Sequence, residues 1–143
     1  MKNLTRIMTF TFLAACLFIL GACSSDSDSD SPFEEKLVGK WSNGLTGSDK
    51  RSFEIFKDGN FTAELNPMGQ GTGTVTGKLV SEGNNNYIIN DMKTTGQTNW
   101  AIDPGFFNGE AVNIDISQTG DSFMMNSANP LVFQFFGGNY FKQ

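Results

Sequence analysis

The chain has 143 residues, no histidine and two cysteines, and its formal net charge at neutral pH is −5. The absence of histidine excludes Ser-His and Cys-His nucleophile systems and removes the commonest general base and metal ligand. An acidic chain repels nucleic acid and anionic lipid headgroups, so we expect no nucleic-acid partner. A pair of carboxylates would suffice for glycoside hydrolysis, so a hydrolase is a third class beside the two non-enzymatic functions set out below. Most acidic residues after residue 31 alternate with apolar residues in strand patterns and should lie on the solvated face, so we expect no enzyme.

The first 22 residues have the layout of a secretory signal peptide. Lys2 and Arg6 form a basic start, residues 7–20 carry no charge and are mostly apolar, and two small residues follow. The apolar run is shorter than the roughly 20 residues that a spanning helix needs. We therefore predict that residues 1–22 are removed during export.

Residues 20–23, Leu-Gly-Ala-Cys, resemble the lipobox of bacterial lipoproteins, in which the cysteine sulfur takes a diacylglyceryl group and becomes the mature N-terminus. The resemblance implies that Cys23 is lipidated and that acyl chains anchor the protein stably in a membrane. A similar tetrapeptide ends at Cys16, but processing there would leave the apolar residues 17–20 in water. A disulfide between Cys16 and Cys23 is the alternative, and removal of the signal segment argues against it.

Serine and aspartate alone make up residues 24–31. A segment without hydrophobic residues cannot bury enough surface to fold, so we predict a disordered tether over residues 23–31 whose simplest role is a spacer. Nothing fixes its aspartates in a metal-binding geometry, and we expect no metal or other cofactor. An acidic run after the lipidated cysteine also resembles the surface-export signal of one large group of bacterial lipoproteins. The resemblance implies an outer-membrane protein facing the cell exterior, with the signal formed by Ser24, Ser25, Asp26, Ser27 and Asp28.

Residues 32–143 are long enough for one domain, and a short helix should open it. Ser31 can cap the helix, Pro32 suits its first position, and Glu34 can complete a capping box. Gly39 is a typical stop. We therefore predict one or two helical turns between Pro32 and Val38.

The rest of the domain alternates apolar and polar residues between turn residues. Asp58-Gly59 is the strongest hairpin signal, and Gly77 within a β-rich run predicts a bulge or bend. Tight hairpins and close spacing leave no room for crossover helices and favour an all-β fold, an up-and-down antiparallel β-barrel of about eight to nine strands. From residue 40 on the pattern is that of strands, and it is clearest at 52–57, 61–65, 72–80, 87–89, 100–102, 112–116, 123–125, 131–135 and around 140.

Two short motifs resemble lipocalins. Gly39-x-Trp41 is similar to the first-strand motif of that family, and residues 56–61, Phe-Lys-Asp-Gly-Asn-Phe, are similar to a hairpin of bacterial lipocalin-like lipoproteins. The resemblance implies an eight-stranded barrel, often with a small apolar ligand, in which Gly39 and Trp41 lie at the closed base. The family usually places an arginine from the last strand over that tryptophan. Here the last strand offers Lys142, and Arg51 is the only arginine of the domain.

The barrel interior separates two functions. The leading hypothesis, favoured by the lipocalin resemblance, is a protein that binds a small apolar or amphipathic ligand inside the barrel. The alternative is a monomeric, non-enzymatic envelope interaction or inhibitor protein with a filled barrel that acts through its surface loops. An eight-stranded barrel either fills with side chains or holds one small ligand, and a connected cavity of about 300 Å3 would favour the ligand. Large rings predicted to point inward argue for filling: Trp41, Phe53, Phe61, Tyr87, Trp100, Phe123, Phe133 and Phe135.

Phe106 and Phe107 follow the turn signal Asp103-Pro104-Gly105 and should lie in a loop. Two arrangements stay open. The loop folds back over the barrel mouth and buries both rings, or it presents them as an exposed apolar patch for a ligand or partner. We predict that these two rings and six of the inward-pointing ones bind the ligand or line the barrel mouth. The full set is Phe53, Phe61, Tyr87, Trp100, Phe106, Phe107, Phe123 and Phe133.

Overall fold

A computed structural model describes residues 33–96 and 99–143. Cys23, the tether and the predicted helix start at Ser31 and Pro32 lie outside these residues. In the described part, eight antiparallel strands form a closed barrel in chain order, which confirms the predicted up-and-down β-barrel. The ranges 33–96 and 99–143 contain no helix that is both long and apolar enough to cross a membrane.

Each strand pairs with its neighbours in the chain, and the last pairs with the first. The strands are β1 (Gly39–Ser42), β2 (Arg51–Ile55), β3 (Asn60–Leu65), β4 (Gly73–Gly83), β5 (Asn86–Thr95), β6 (Ala111–Ile116), β7 (Ser122–Asn126) and β8 (Gly138–Lys142). Short 3-10 helices span Glu35–Leu37, Gly47–Asp49, Pro67–Gly69 and Pro104–Phe107, and one α-helix, α1, spans Pro130–Phe136.

The two ends of the barrel differ. The base carries the first 3-10 turn and the tight turns after β2, β4 and β6. The mouth carries the longer connections after β1, β3, β5 and β7, including α1. The predicted opening helix is present as a single 3-10 turn, Glu35–Leu37, because Val38 is already extended at φ −66° and ψ 128°. The described chain therefore enters the barrel at its base.

The predicted hairpin at Asp58-Gly59 joins β2 to β3. Gly59 has φ +79°, and a Cβ there would lie 2.5 Å from the backbone oxygen of Leu79, so the turn requires glycine. The Asp58 carboxylate accepts a hydrogen bond from the backbone N–H of Asn60 at 3.0 Å. This turn locks the register that places Phe53 and Phe61 on the inner face.

The predicted irregularity at Gly77 is a β-bulge. The β4–β5 register shifts between Thr76 and Lys78, so that Gly77 faces two residues of β5, Asp91 and Met92. Asp91 has φ +55°, which marks it as the extra residue. A Cβ on Gly77 would lie 2.7 Å from the ring of Phe61. The glycine therefore makes room for a core side chain beside the bulge.

Residues 131–135 form part of α1 and not a strand, so that prediction was wrong. Asn129 caps the helix, because its Oδ1 accepts a hydrogen bond from the backbone N–H of Leu131 at 3.0 Å, and Pro130 occupies the first turn. The buried residues are spaced three and four apart, as a helix requires: Val132, Phe135 and Phe136. Phe133 was predicted to point inward, but it faces outward at 45% exposed.

Trp100 and Ile102 were predicted on a strand, and this was also wrong. They lie in the connection after β5, where side-chain hydrogen bonds hold the chain out of the sheet. Trp100 Nε1 donates to the backbone oxygen of Gly71 at 2.8 Å. The Asp103 carboxylate accepts from the N–H of Gly105 at 2.9 Å and starts the 3-10 turn Pro104–Phe107.

Candidate functional site

The barrel interior holds a continuous column of aromatic rings. Successive ring centroids are 4.8, 4.9, 5.0, 6.2, 5.8, 5.0 and 5.9 Å apart. Aromatic pairs attract one another at separations of about 4.5–7 Å. From base to mouth, the aromatic column consists of Trp41, Phe123, Tyr140, Phe53, Phe136, Phe107, Phe135 and Trp100. It lies where a ligand inside the barrel would have to sit.

Trp41 forms the base of this column. Its side chain is fully buried, and its Nε1 donates to the backbone oxygen of Leu37 at 2.8 Å. The register pairs Trp41 with Lys142, whose Nζ lies 5.3 Å from the centre of the indole. A Cβ on Gly39 would lie 3.2 Å from Cε of Lys142, so the missing side chain leaves space for the lysine stem. These contacts close the base between the first turn, β1 and β8.

Helix α1 closes the mouth. Phe135 is fully buried, and its centroid lies 5.0 Å from that of Phe107 and 5.9 Å from that of Trp100. Phe136 extends deeper, to 6.2 Å from Phe53 of β2. The helix therefore inserts its apolar face between the strands and the connection after β5.

Arg51 fixes this helix, a role that the sequence analysis missed. Its guanidinium donates to the backbone oxygen of Gly137 and, at 2.9 Å, to that of Gln134. These carbonyls lie at the C-terminal end of α1, where the helix has no partners for them and where its dipole favours a cation. Tyr140 adds a third bond, because its hydroxyl donates to the backbone oxygen of Phe136 at 2.7 Å.

The two phenylalanines of the mouth loop point in opposite directions. Phe107 is 2% exposed and packs beneath α1, whereas Phe106 is 77% exposed. Of the two predicted arrangements, Phe107 therefore has the buried one and Phe106 the exposed one. The turn Pro104–Phe107 bonds through Asp103 and Asn108, whose Nδ2 donates to the oxygen of Gly105 at 3.0 Å. Phe106 is therefore presented on a fixed turn.

Most of the predicted interior residues lie together. Five strand residues are each no more than 3% exposed: Trp41, Phe53, Phe61, Tyr87 and Phe123. Tyr87 stands apart from the aromatic column, because its ring contacts Phe33 at 5.8 Å beneath the barrel base. Phe136 and Tyr140 belong to the column and were not among the predicted interior residues.

Burial dominates the electrostatics of the two tyrosines. It raises the pKa of Tyr140 to about 12, against the opposing effect of the Arg51 guanidinium. It raises the pKa of Tyr87 to about 12 as well, with a smaller contribution from the Glu34 carboxylate. Both hydroxyls therefore stay neutral at physiological pH. Among residues 33–96 and 99–143, no group of three or more Cys, Asp or Glu side chains could hold a metal ion.

Open grooves line the outside of the described barrel. One of about 490 Å3 lies at the mouth between the end of β5 and the following connection, and it is lined by Trp100, Ile102, Asp103 and Pro104 among others. Another of about 490 Å3 crosses the outer face of β1, β2 and β3. Its lysines form exposed ion pairs, Lys40 with Glu54 at 3.7 Å and Lys50 with Glu64 at 3.5 Å. Such pairs contribute little to stability.

No protein-family model, no curated protein and no solved structure matches this chain. The lipocalin resemblance is therefore carried by Gly39, Trp41 and residues 56–61 alone.

Proposed function

We propose that the protein is a lipid-anchored, non-enzymatic envelope protein that acts through its outer surface and not through a ligand inside the barrel. The aromatic column carries this proposal. Eight rings in mutual contact occupy the interior from Trp41 to Trp100. A ligand would have to separate rings that now pack against one another, and each ring removed from its contacts costs free energy.

A fatty-acid titration tests the filled interior. We expect a fluorescent long-chain fatty acid to show no saturable binding to the unlipidated Cys23→Ser protein, which keeps every residue of the barrel. Phe53→Ala, with benzene as a second probe, is the positive control, because it opens an apolar cavity in the middle of the column, and such cavities bind benzene-sized molecules. Saturable one-to-one binding by the Cys23→Ser protein, competed by unlabelled fatty acid and altered by Phe53→Ala, would refute the proposal and support the ligand-binding hypothesis that the sequence favours.

The anchor and the exposure of the protein are also proposals, supported by the sequence of residues 20–31. Cys23 is the proposed lipidated N-terminus, and the acidic tether directs the barrel to the exterior of the outer membrane. The mature chain carries fifteen acidic and eight basic residues (ten less Lys2 and Arg6), a net charge near −7. This charge keeps the barrel away from anionic headgroups, so the acyl chains are the proposed membrane contact.

Cys23→Ser should release the protein from the membrane fraction or leave it unprocessed. The matched variant replaces Asp26, Asp28 and Asp30 with alanine and keeps the cysteine. It should remain in the membrane fraction but lose its sensitivity to protease added to intact cells. A native N-terminus other than Cys23 in mass spectrometry rules out the lipid anchor. Unchanged protease sensitivity of the aspartate variant reduces the tether to a spacer.

A further inference from the structure

We propose that the barrel mouth binds a protein segment that carries basic residues around an apolar anchor. The inference rests on the proposed function, since it assigns the working surface of a filled barrel. The mouth surface is defined here by three groups of residues in the mouth connections. They are the exposed apolar side chains of Leu45, Phe106, Leu131 and Phe133, the partly buried Trp100 and Ile102, and the acidic Asp103 and Glu110.

Apolar side chains at the mouth are exposed although the elements that carry them are packed. Phe106 is 77% exposed, the largest exposure among the large hydrophobic residues of the described chain, and Leu45 is 55% exposed. Leu131 and Phe133 of α1 are 44% and 45% exposed. A ring that contributes nothing to the core, held on an ordered turn, is typical of a contact residue.

The mouth surface is pre-organised. Phe107, next to Phe106, packs 5.0 Å from Phe135 of α1, so the turn and the helix share a buried contact. Arg51 fixes the C-terminal end of that helix through two backbone oxygens. The groove of about 490 Å3 lined by Trp100, Ile102 and Asp103 adjoins the same turn and offers an open site whose exposed lining is mostly polar. A rigid surface of this kind loses little conformational entropy on binding.

The charge around the barrel mouth indicates the chemistry of the partner. Residues 94–141 contain no lysine or arginine and four acidic residues, Asp103, Glu110, Asp115 and Asp121. The first two belong to the connection after β5. Asp103 lines the groove, whereas the backbone oxygen of Glu110 accepts from the N–H of Ile89 farther down β5. Of the basic residues toward the same end, Lys50 pairs with Glu64 and Arg51 bonds α1, while Lys93 lies exposed in a groove on the outer face of β3 to β5. The apolar mouth is therefore bordered by negative charge that a basic partner would complement.

The same charge disfavours two other occupants. A second copy of this chain would bring identical acidic borders face to face, which repels like charges across the interface. Anionic lipid headgroups would be repelled for the same reason. The described chain enters the barrel at the base, the end opposite the mouth.

Three synthetic amphipathic peptides test the proposal against the Cys23→Ser protein by fluorescence anisotropy. One combines leucine and lysine, one leucine and glutamate, and one serine and lysine. We expect the leucine–lysine peptide to bind at least about tenfold more tightly than either of the others, and its affinity to fall with added salt. Equal binding of all three peptides, or no binding, would overturn the inference.

Matched variants locate the site. Phe106→Ser should weaken the leucine–lysine peptide about tenfold, whereas Phe141→Ser, the same change at a ring 52% exposed on β8, should not. Asp103→Asn keeps the oxygen that accepts from Gly105 and should weaken binding, whereas Asp115→Asn near the base should not. Equal effects of the mouth and control variants contradict the site.

Two further measurements separate the other occupants. If the Cys23→Ser protein sediments as a dimer that Phe106→Ser dissociates, the mouth binds a second copy of the chain and not a basic segment. If it binds phosphatidylglycerol vesicles and Phe106→Ser abolishes that binding, the mouth binds a membrane surface instead. The fatty-acid titration stays independent of these outcomes. Binding of fatty acid inside the barrel refutes the proposed function. If neither the peptides nor the fatty acid binds, only the proposed role of the mouth surface is refuted.

Discussion

Replacing Trp41 with alanine should lower the free energy of unfolding by about 3–5 kcal/mol. The indole is fully buried and packs 4.8 Å from Phe123, so the truncation would leave a cavity at the end of the aromatic column. It would also leave the backbone oxygen of Leu37 without its 2.8 Å hydrogen bond. A domain of this size has about 5–15 kcal/mol in total, so the loss would be a large fraction of its stability. Urea unfolding measures it.

Two variants separate the contributions at the base. Trp41→Phe keeps a ring but removes the indole N–H, and it should cost less than Trp41→Ala. Lys142→Ala should cost about 1 kcal/mol or less, because a partly exposed cation–π contact is weak. If Trp41→Ala cost no more than Lys142→Ala, the indole would not be the element that closes the barrel base. If Trp41→Ala failed to fold, Trp41→Phe would still give the measurable comparison.

The base of the barrel could be predicted from the sequence because its signals are local. Gly39-x-Trp41 sets a glycine and a buried indole two residues apart on one strand, and Asp58-Gly59 fixes the adjoining hairpin. Period-2 alternation then places Phe53 and Phe61 on the same face. Closure follows, since a meander of hairpins returns its last strand beside its first. No distant residue is needed for any of these steps.

The mouth could not be predicted in the same way because its signals conflict. Leu131, Phe133 and Phe135 alternate as a strand would, while Val132, Phe135 and Phe136 have helical spacing, and an aromatic-rich segment satisfies both periods. Asn129-Pro130 was the deciding signal, since an N-cap residue followed by proline favours a helix start.

Arg51 shows why the rest of the candidate site could not be predicted from the sequence. Its partners are backbone oxygens of residues 134 and 137, which are 83 and 86 positions away in the chain. Carbonyls carry no side-chain signature, and these two are free to accept only because α1 ends there. Once residues 131–135 were predicted as a strand, nothing in the sequence connected Arg51 with the mouth. The same error placed Phe133 inside the barrel.

The helix at the mouth gives the second large expected effect. Phe135→Ala should cost about 3–5 kcal/mol, whereas Phe133→Ala, the same substitution two residues earlier, should cost about 1 kcal/mol or less. Phe135 is fully buried between Phe107 and Trp100, but Phe133 is 45% exposed. In a strand the two side chains would share one face and their substitutions would have similar costs. The ratio of the two costs therefore distinguishes the helix from the strand.

Urea unfolding of the two alanine variants and of the unsubstituted domain gives the comparison, with Phe106→Ala as a third, more exposed phenylalanine in the neighbouring turn. Similar losses for Phe133→Ala and Phe135→Ala would contradict α1 as the element that closes the mouth. A large loss for Phe135→Ala alone supports the helix, because the cavity would open beneath it and remove its contacts with Phe107 and Trp100.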